Sequence, residues 1–248
     1  MHVRKKTRTH KTQKGTGTHD LSTDATNRIW GDEGFRLFLS HRAEVKKKAA
    51  DLKDRLRLFG ITGFVAHEDI RPTRAWLDEI ENALLSMDGF VALMTKNFHE
   101  SDWTDQEVGF ALARGVPIVA VRLGRKPYGF IGRFQDLSST WSTAAEDIAK
   151  TLMKNSRMVS AYIKALRRCP NWDTGNTLGT ALEAIEALSS EQIDDFVTAY
   201  NENYELRGSF AFNGSRLSAF GPGLVWYLNR LGSRKFRRSS DGLIEQTK

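Results

Sequence analysis

The sequence predicts an α/β fold: a parallel sheet with helices on both faces, followed by a smaller, mostly helical C-terminal region. Three observations predict it. Short apolar runs alternate with amphipathic helical stripes between residues 35 and 121. Those runs are continuously apolar, as in strands buried on both faces. Beyond about residue 154 the helical stripes continue with no strand-like run between them.

The elements follow in order. Residues 35–41, FRLFLSH, have the composition and length of a buried strand. Val45, Ala49, Leu52, Leu56 and Phe59 then form one apolar stripe of a helix, with Lys46, Lys47, Lys48 and Arg55 on its other faces. Gly60 ends it. Residues 61–66 are the second strand, and Pro72 interrupts the loop after it. Trp76, Ile80, Ala83, Leu84 and Met87 make the second helical stripe. Residues 90–94, FVALM, are the third strand. A helix over 104–114 is closed by Gly115, and Pro117 opens a fourth strand, IVAV, at 118–121. In the C-terminal region a helix is expected over 158–168. Leu178, Leu182, Ile185 and Leu188 mark another. Ser189 and Gln192 have capping-box spacing. Ile193, Phe196, Val197, Tyr200 and Tyr204 form a third stripe, and 224–231 a last helix.

Charge divides the chain further. Six lysines and arginines precede the first acid, Asp20, among Thr, His, Gln and Gly, so residues 1–28 read as a disordered basic tail. Residues 233–248 read as a flexible basic tail, leaving 29–153 for the α/β domain and 154–232 for the helical one. No apolar run approaches the roughly 20 residues of a membrane span, and the basic N-terminus lacks the apolar stretch of a signal peptide. A cytoplasmic location is therefore expected. One cysteine, Cys169, excludes an intramolecular disulfide framework and a CxxC metal site. No metal-ligand cluster, P-loop or Ser-His-Asp grouping stands out. The third strand ends in Met94-Thr95-Lys96-Asn97, without a phosphoacceptor Asp. The first is followed by no GxGxxG.

The loop residues decide between the remaining folds. Phe38-Leu39-Ser40-His41 closes the first strand. The helix after the long loop at 67–75 reads WLDEIENAL from Trp76. Leu93-Met94-Thr95-Lys96-Asn97-Phe98 closes the third strand, and Ser101-Asp102-Trp103-Thr104-Asp105-Gln106-Glu107 follows. Taken in order over residues 35–137, this pattern resembles the TIR (Toll/interleukin-1 receptor) domain family. It is most similar to bacterial TIR proteins of the NAD-cleaving type, with Thr104 where the family usually has Cys. The resemblance implies a flavodoxin-like sheet, the long loop being the family's BB loop.

It also implies a chemistry. Many TIR domains cleave NAD⁺ between nicotinamide and ribose with one glutamate on the helix after the BB loop, and Glu79 holds that position. Nicotinamide leaves a pyridinium as a neutral molecule, so no general acid is required, unlike the carboxylate pair of ordinary glycosidases. One carboxylate suffices to hold the ribose hydroxyls and stabilise a developing oxocarbenium ion. At 100° per residue Glu79 lies about 80° from the centre of the apolar stripe, at its flank. Ser40 and His41 either touch ribose or phosphate or cap the next helix. Arg71 and Arg74 either pair with the pyrophosphate or are solvated loop charges. Trp76 either stacks on an NAD ring or joins the core. Trp103 and Glu107 read as local structure, His67 as a loop histidine.

Three functions follow from the resemblance. The first is an NAD⁺ nucleosidase releasing nicotinamide and ADP-ribose or a cyclic isomer, in bacterial antiphage immune signalling. NAD⁺ is then substrate, and no cofactor is expected. The second is a non-enzymatic scaffold that binds other TIR domains through the BB loop. The third, a nucleoside deoxyribosyltransferase-like enzyme, is disfavoured by the Ser40-His41 and Trp103 motifs. Self-association and an upstream sensor or downstream effector are the expected partners. Nucleic acid is a weak expectation that rests on the basic N-terminal tail.

Overall fold

The computed structural model describes residues 23–31, 34–66, 74–134 and 136–247. Helix α1 (Thr23–Trp30) leads into strand β1 (Phe35–Ser40). Then follow α2 (Lys46–Leu56), β2 (Ile61–Val65), α3 (Arg74–Ser86), β3 (Gly89–Met94), α4 (Thr104–Arg114), β4 (Ile118–Arg122), β5 (Asp136–Ser138) and α5 (Ala144–Leu152). The five strands form one parallel sheet in the order β2-β1-β3-β4-β5.

Alternation within the apolar runs sends successive side chains to opposite faces. Leu37, Leu39, Val91, Leu93, Val119 and Val121 point into one core with α2, α5 and the C-terminal helices. Phe38, Phe90, Ala92, Met94 and Ala120 point into the other, with α1, α3 and α4. Both faces are covered, which explains why the central strands β1, β3 and β4 read as nearly continuous apolar runs.

Three elements of this half were not expected: α1, β5 and α5. Helix α1 lies partly inside the segment expected to be a disordered tail. Its sequence, TDATNRIW, is mostly polar, and its anchors are half-buried Ile29 and buried Trp30, whose Nε1 donates to Ser86 Oγ at 2.7 Å. Strand β5 has three residues and only one apolar side chain, too few for a periodic signal. An Arg122–Asp136 ion pair at 3.0 Å ties it to β4.

The C-terminal region contains α6 (Ser156–Leu166), α7 (Trp172–Gly179), α8 (Ser190–Glu202), α9 (Tyr204–Gly208), α10 (Phe210–Asn213), α11 (Leu217–Phe220) and α12 (Leu224–Leu231). The stripe from Leu178 to Leu188 is not one helix, because α7 ends at Gly179 and an irregular stretch follows. A Cβ at Gly179 would lie 2.3 Å from the Ala211 Cβ, so glycine there permits close packing of α7 on α10. Tyr204 leaves the stripe of α8 and is exposed, because Asn203 breaks the helix and caps α9.

The expected flexible tail at 233–248 is instead an antiparallel hairpin, β6 (Phe236–Arg238) with β7 (Ile244–Gln246). Phe236 and Ile244 are buried. Asn229 exchanges two hydrogen bonds with the main chain of Phe236, and Asn201 two with Ile244. Asparagine thus supplies the pairing a third strand would have given. Among the described residues no helix is long and apolar enough to cross a membrane.

Candidate functional site

In an open parallel sheet, ligands bind outside the carboxyl ends of the strands where the strand order reverses. Here that point lies between β1 and β3. β1 ends in Ser40, which is buried and whose Oγ donates to Glu107 Oε2 at 2.5 Å. Glu107 is itself buried, one turn inside α4. A buried carboxylate needs such a partner, and the charge shortens and strengthens the bond. His41 is also buried, and its Nδ1–H donates to Leu39 O at 2.9 Å. Arg42 Nη1 then crosses to Asn97 O at 3.1 Å and Glu100 Oε2 at 2.9 Å, tying the loop after β1 to the loop after β3.

Packing therefore closes this crevice. Ser40 and His41, weighed as contacts to ribose or phosphate or as caps, are both buried. Neither caps the following helical turn, whose N-cap is Arg42 with no side-chain bond. Thr104, in the motif position usually held by Cys, is fully buried and donates to Phe98 O at 2.8 Å.

An open concavity lies beside β2. A cleft of about 140 Å³ is lined by Phe64 and Val65 of β2, Trp76 and Glu79 of α3, Lys53 of α2 and Arg28 of α1. Ile80 and Ala83 anchor α3 in the core. That leaves Glu79 at the flank of the helix, exposed toward the cleft. Trp76, one turn earlier, is half-buried. Its ring meets Trp103 edge to face at 5.5 Å, and it packs against the core while its open side lines the cleft. Arg74 begins α3, and with Ala75 it belongs to the helix, not to the loop expected there; its side chain and Arg71 lie outside the described residues.

Arg28 and Lys53 line the cleft and were not singled out by the sequence reading. Arg28 was assigned to the tail, and Lys53 is one of several lysines on α2. Its half-burial beside exposed Lys47 and Lys48 is visible only in the fold. Two other reactive groups are held inert. Burial pushes the Cys169 thiol up, and the Sγ donates to Asn171 O at 3.3 Å. The Tyr128 hydroxyl lies well above its ordinary range, first through burial and then through its bond to Asp105 at 2.6 Å.

A family model described as TIR domain matches residues 37–155. Residues 37–155 are a TIR domain. A solved structure similar to the chain is the TIR domain of the Toll-related receptor TRR-2 from Hydra magnipapillata, at 20% identity and a TM-score of 0.35. The match covers 42% of this chain and 82% of that one. No curated protein sequence matches the chain. Within the TIR domain the Ser40-His41, Trp76 to Glu79 and Trp103 to Glu107 motifs come to the carboxyl edge of the sheet and its flank. The first and third are spent on holding that edge together. The second faces solvent.

Proposed function

We propose that this TIR domain cleaves the nicotinamide–ribose bond of NAD⁺, with Glu79 as the catalytic carboxylate. The observation that carries the reading is the company Glu79 keeps: an exposed acid on a rigid helix, an aromatic face one turn away, and two cations in one cleft. Trp76 offers a surface for a planar ring. Lys53 and Arg28 offer charge to a pyrophosphate. Glu79 holds the ribose hydroxyls and stabilises positive charge as neutral nicotinamide departs. Water or a second nucleophile on the ADP-ribose then completes the reaction, giving ADP-ribose or a cyclic isomer. The biological setting we propose is bacterial antiphage signalling by self-associating TIR domains.

The test is incubation of the full chain with NAD⁺ and identification of the products. Nicotinamide should appear, and Glu79→Gln should reduce its release at least a hundredfold with the melting temperature unchanged. Turnover should rise faster than linearly with protein concentration as the domains associate, and Arg74→Glu should weaken both association and turnover. Undiminished activity in Glu79→Gln would refute the assignment. The second reading is a non-enzymatic TIR scaffold. It is favoured by the burial of Ser40 and His41 at the end of β1. A scaffold would associate through the same loop whether or not Glu79 is present, and would release no nicotinamide.

A further inference from the structure

Residues 206–240 contain seven arginines and lysines and not one acid. Among the described residues, two of the seven are in ion pairs, Arg234 with Asp194 and Arg237 with Glu245. Others rest on neutral groups. Arg216 lies over the Phe210 ring at 4.1 Å, and Arg238 Nη1 donates to Asn213 O at 3.2 Å. Asn213 Nδ2 in turn donates to the main-chain O of Arg207, whose guanidinium donates to Asn201 O and lies over the Tyr204 ring at 5.5 Å. A guanidinium placed on a ring or a carbonyl keeps its full charge toward solvent.

Aromatic rings stand among these charges. Phe210 contacts Trp172 at 6.0 Å and Phe220 at 5.4 Å between ring centroids. Trp172 is 49% exposed and Phe220 38% exposed. A soluble surface rarely groups large exposed rings without a use for them.

We propose that the face built on α10 binds single-stranded nucleic acid, its bases stacking on Trp172 and Phe220 and its phosphates meeting Arg207, Arg216 and Arg238. Every base offers a π face, so exposed rings among cations bind single strands with little sequence preference. A duplex hides those faces. A second copy of this chain is disfavoured, since two faces in which arginines outnumber acids repel. The face belongs to the helical region, and its activity is independent of Glu79.

The test is fluorescence anisotropy of the full chain with labelled 15-nucleotide oligo-dT and oligo-rU, and with a duplex of equal length. Oligonucleotide affinity should fall with salt, with a slope of about −0.7 per phosphate neutralised. W172A/F220A should weaken binding by roughly five- to a hundredfold at fixed salt. R216E/R238E should weaken it and flatten the salt slope. The N-terminal basic residues are common to all variants, so these differences report the α10 face. Tighter binding of oligo-dT or of oligo-rU assigns the strand as DNA or RNA. Equal affinity of wild type and both variants would overturn the proposal. So would a polyglutamate peptide that competes as strongly as oligo-dT, because the surface would then be a dock for an acidic protein.

Discussion

Ser40 and Glu107 show what a motif can conceal. Ser40 was weighed as a ligand contact and Glu107 read as local structure, and one buried hydrogen bond consumes both. Ser40→Ala removes the donor and leaves a buried carboxylate short of one bond. The expected cost is about 1–3 kcal/mol, read from urea unfolding, with nucleotide turnover retained by the folded protein. Glu79 is the opposite case. It is exposed, no packing depends on it, and its replacement should change stability by less than about 0.5 kcal/mol. The two substitutions thus separate a carboxylate kept for structure from one free for chemistry. The family resemblance singled out Glu79, and helix spacing added only that it lies at the flank of the apolar stripe. The sequestration of Ser40 was not legible, because its partner lies 67 residues away.

Side-chain caps divide the helical region into its elements. Ser189 Oγ accepts from Gln192 N at 3.1 Å while Gln192 Oε1 accepts from Ser189 N at 3.0 Å, the capping box expected from the spacing. Asn203 does more. Its Oδ1 accepts from the Glu205 and Leu206 amides, and its Nδ2 donates to the carbonyls of Leu166, Arg167 and Cys169. It starts α9 and closes the end of α6 in one side chain. Ser189→Ala should therefore cost about 1 kcal/mol. Asn203→Ala should cost about 2–3 kcal/mol, since it orphans carbonyls on a second helix as well. Thermal or urea unfolding of the two variants side by side checks the ranking, and equal losses would show the bonds to α6 to be idle. The central strands and α2 to α4 were readable because each carries several apolar residues at a regular period. Helix α1, strand β5 and the closing hairpin were not, since each is short and is held by a pair of apolar side chains, an ion pair or an asparagine.

At the scale of the molecule, the core on one face of the sheet continues without a break into the C-terminal helices. Leu37, Leu39 and Val91 share it with Tyr162, Phe196 and Tyr200. The expectation of an α/β domain beside a separate helical one implies two cores. Here the helical region shares a core with one face of the sheet. The junction also has a polar lock. Asp88 Oδ2 accepts from the Arg36 amide at 2.9 Å and meets Arg157 Nε of α6 at 2.8 Å. Gly60 is the tightest point, with φ at 79° and a Cβ position only 2.3 Å from Ala161 O of α6. A Gly60→Val chain must adopt a left-handed backbone with a branched side chain and push α6 outward. The strain alone is worth about 1–3 kcal/mol. If the two regions unfold as one unit, native-state hydrogen exchange should show protection falling by the same amount in β3, on the sheet, and in α8, which has no contact with Gly60. If they are energetically separate, β3 should keep its protection while α8 loses it, or the reverse. That outcome would mean that the shared core transmits no stability across the junction.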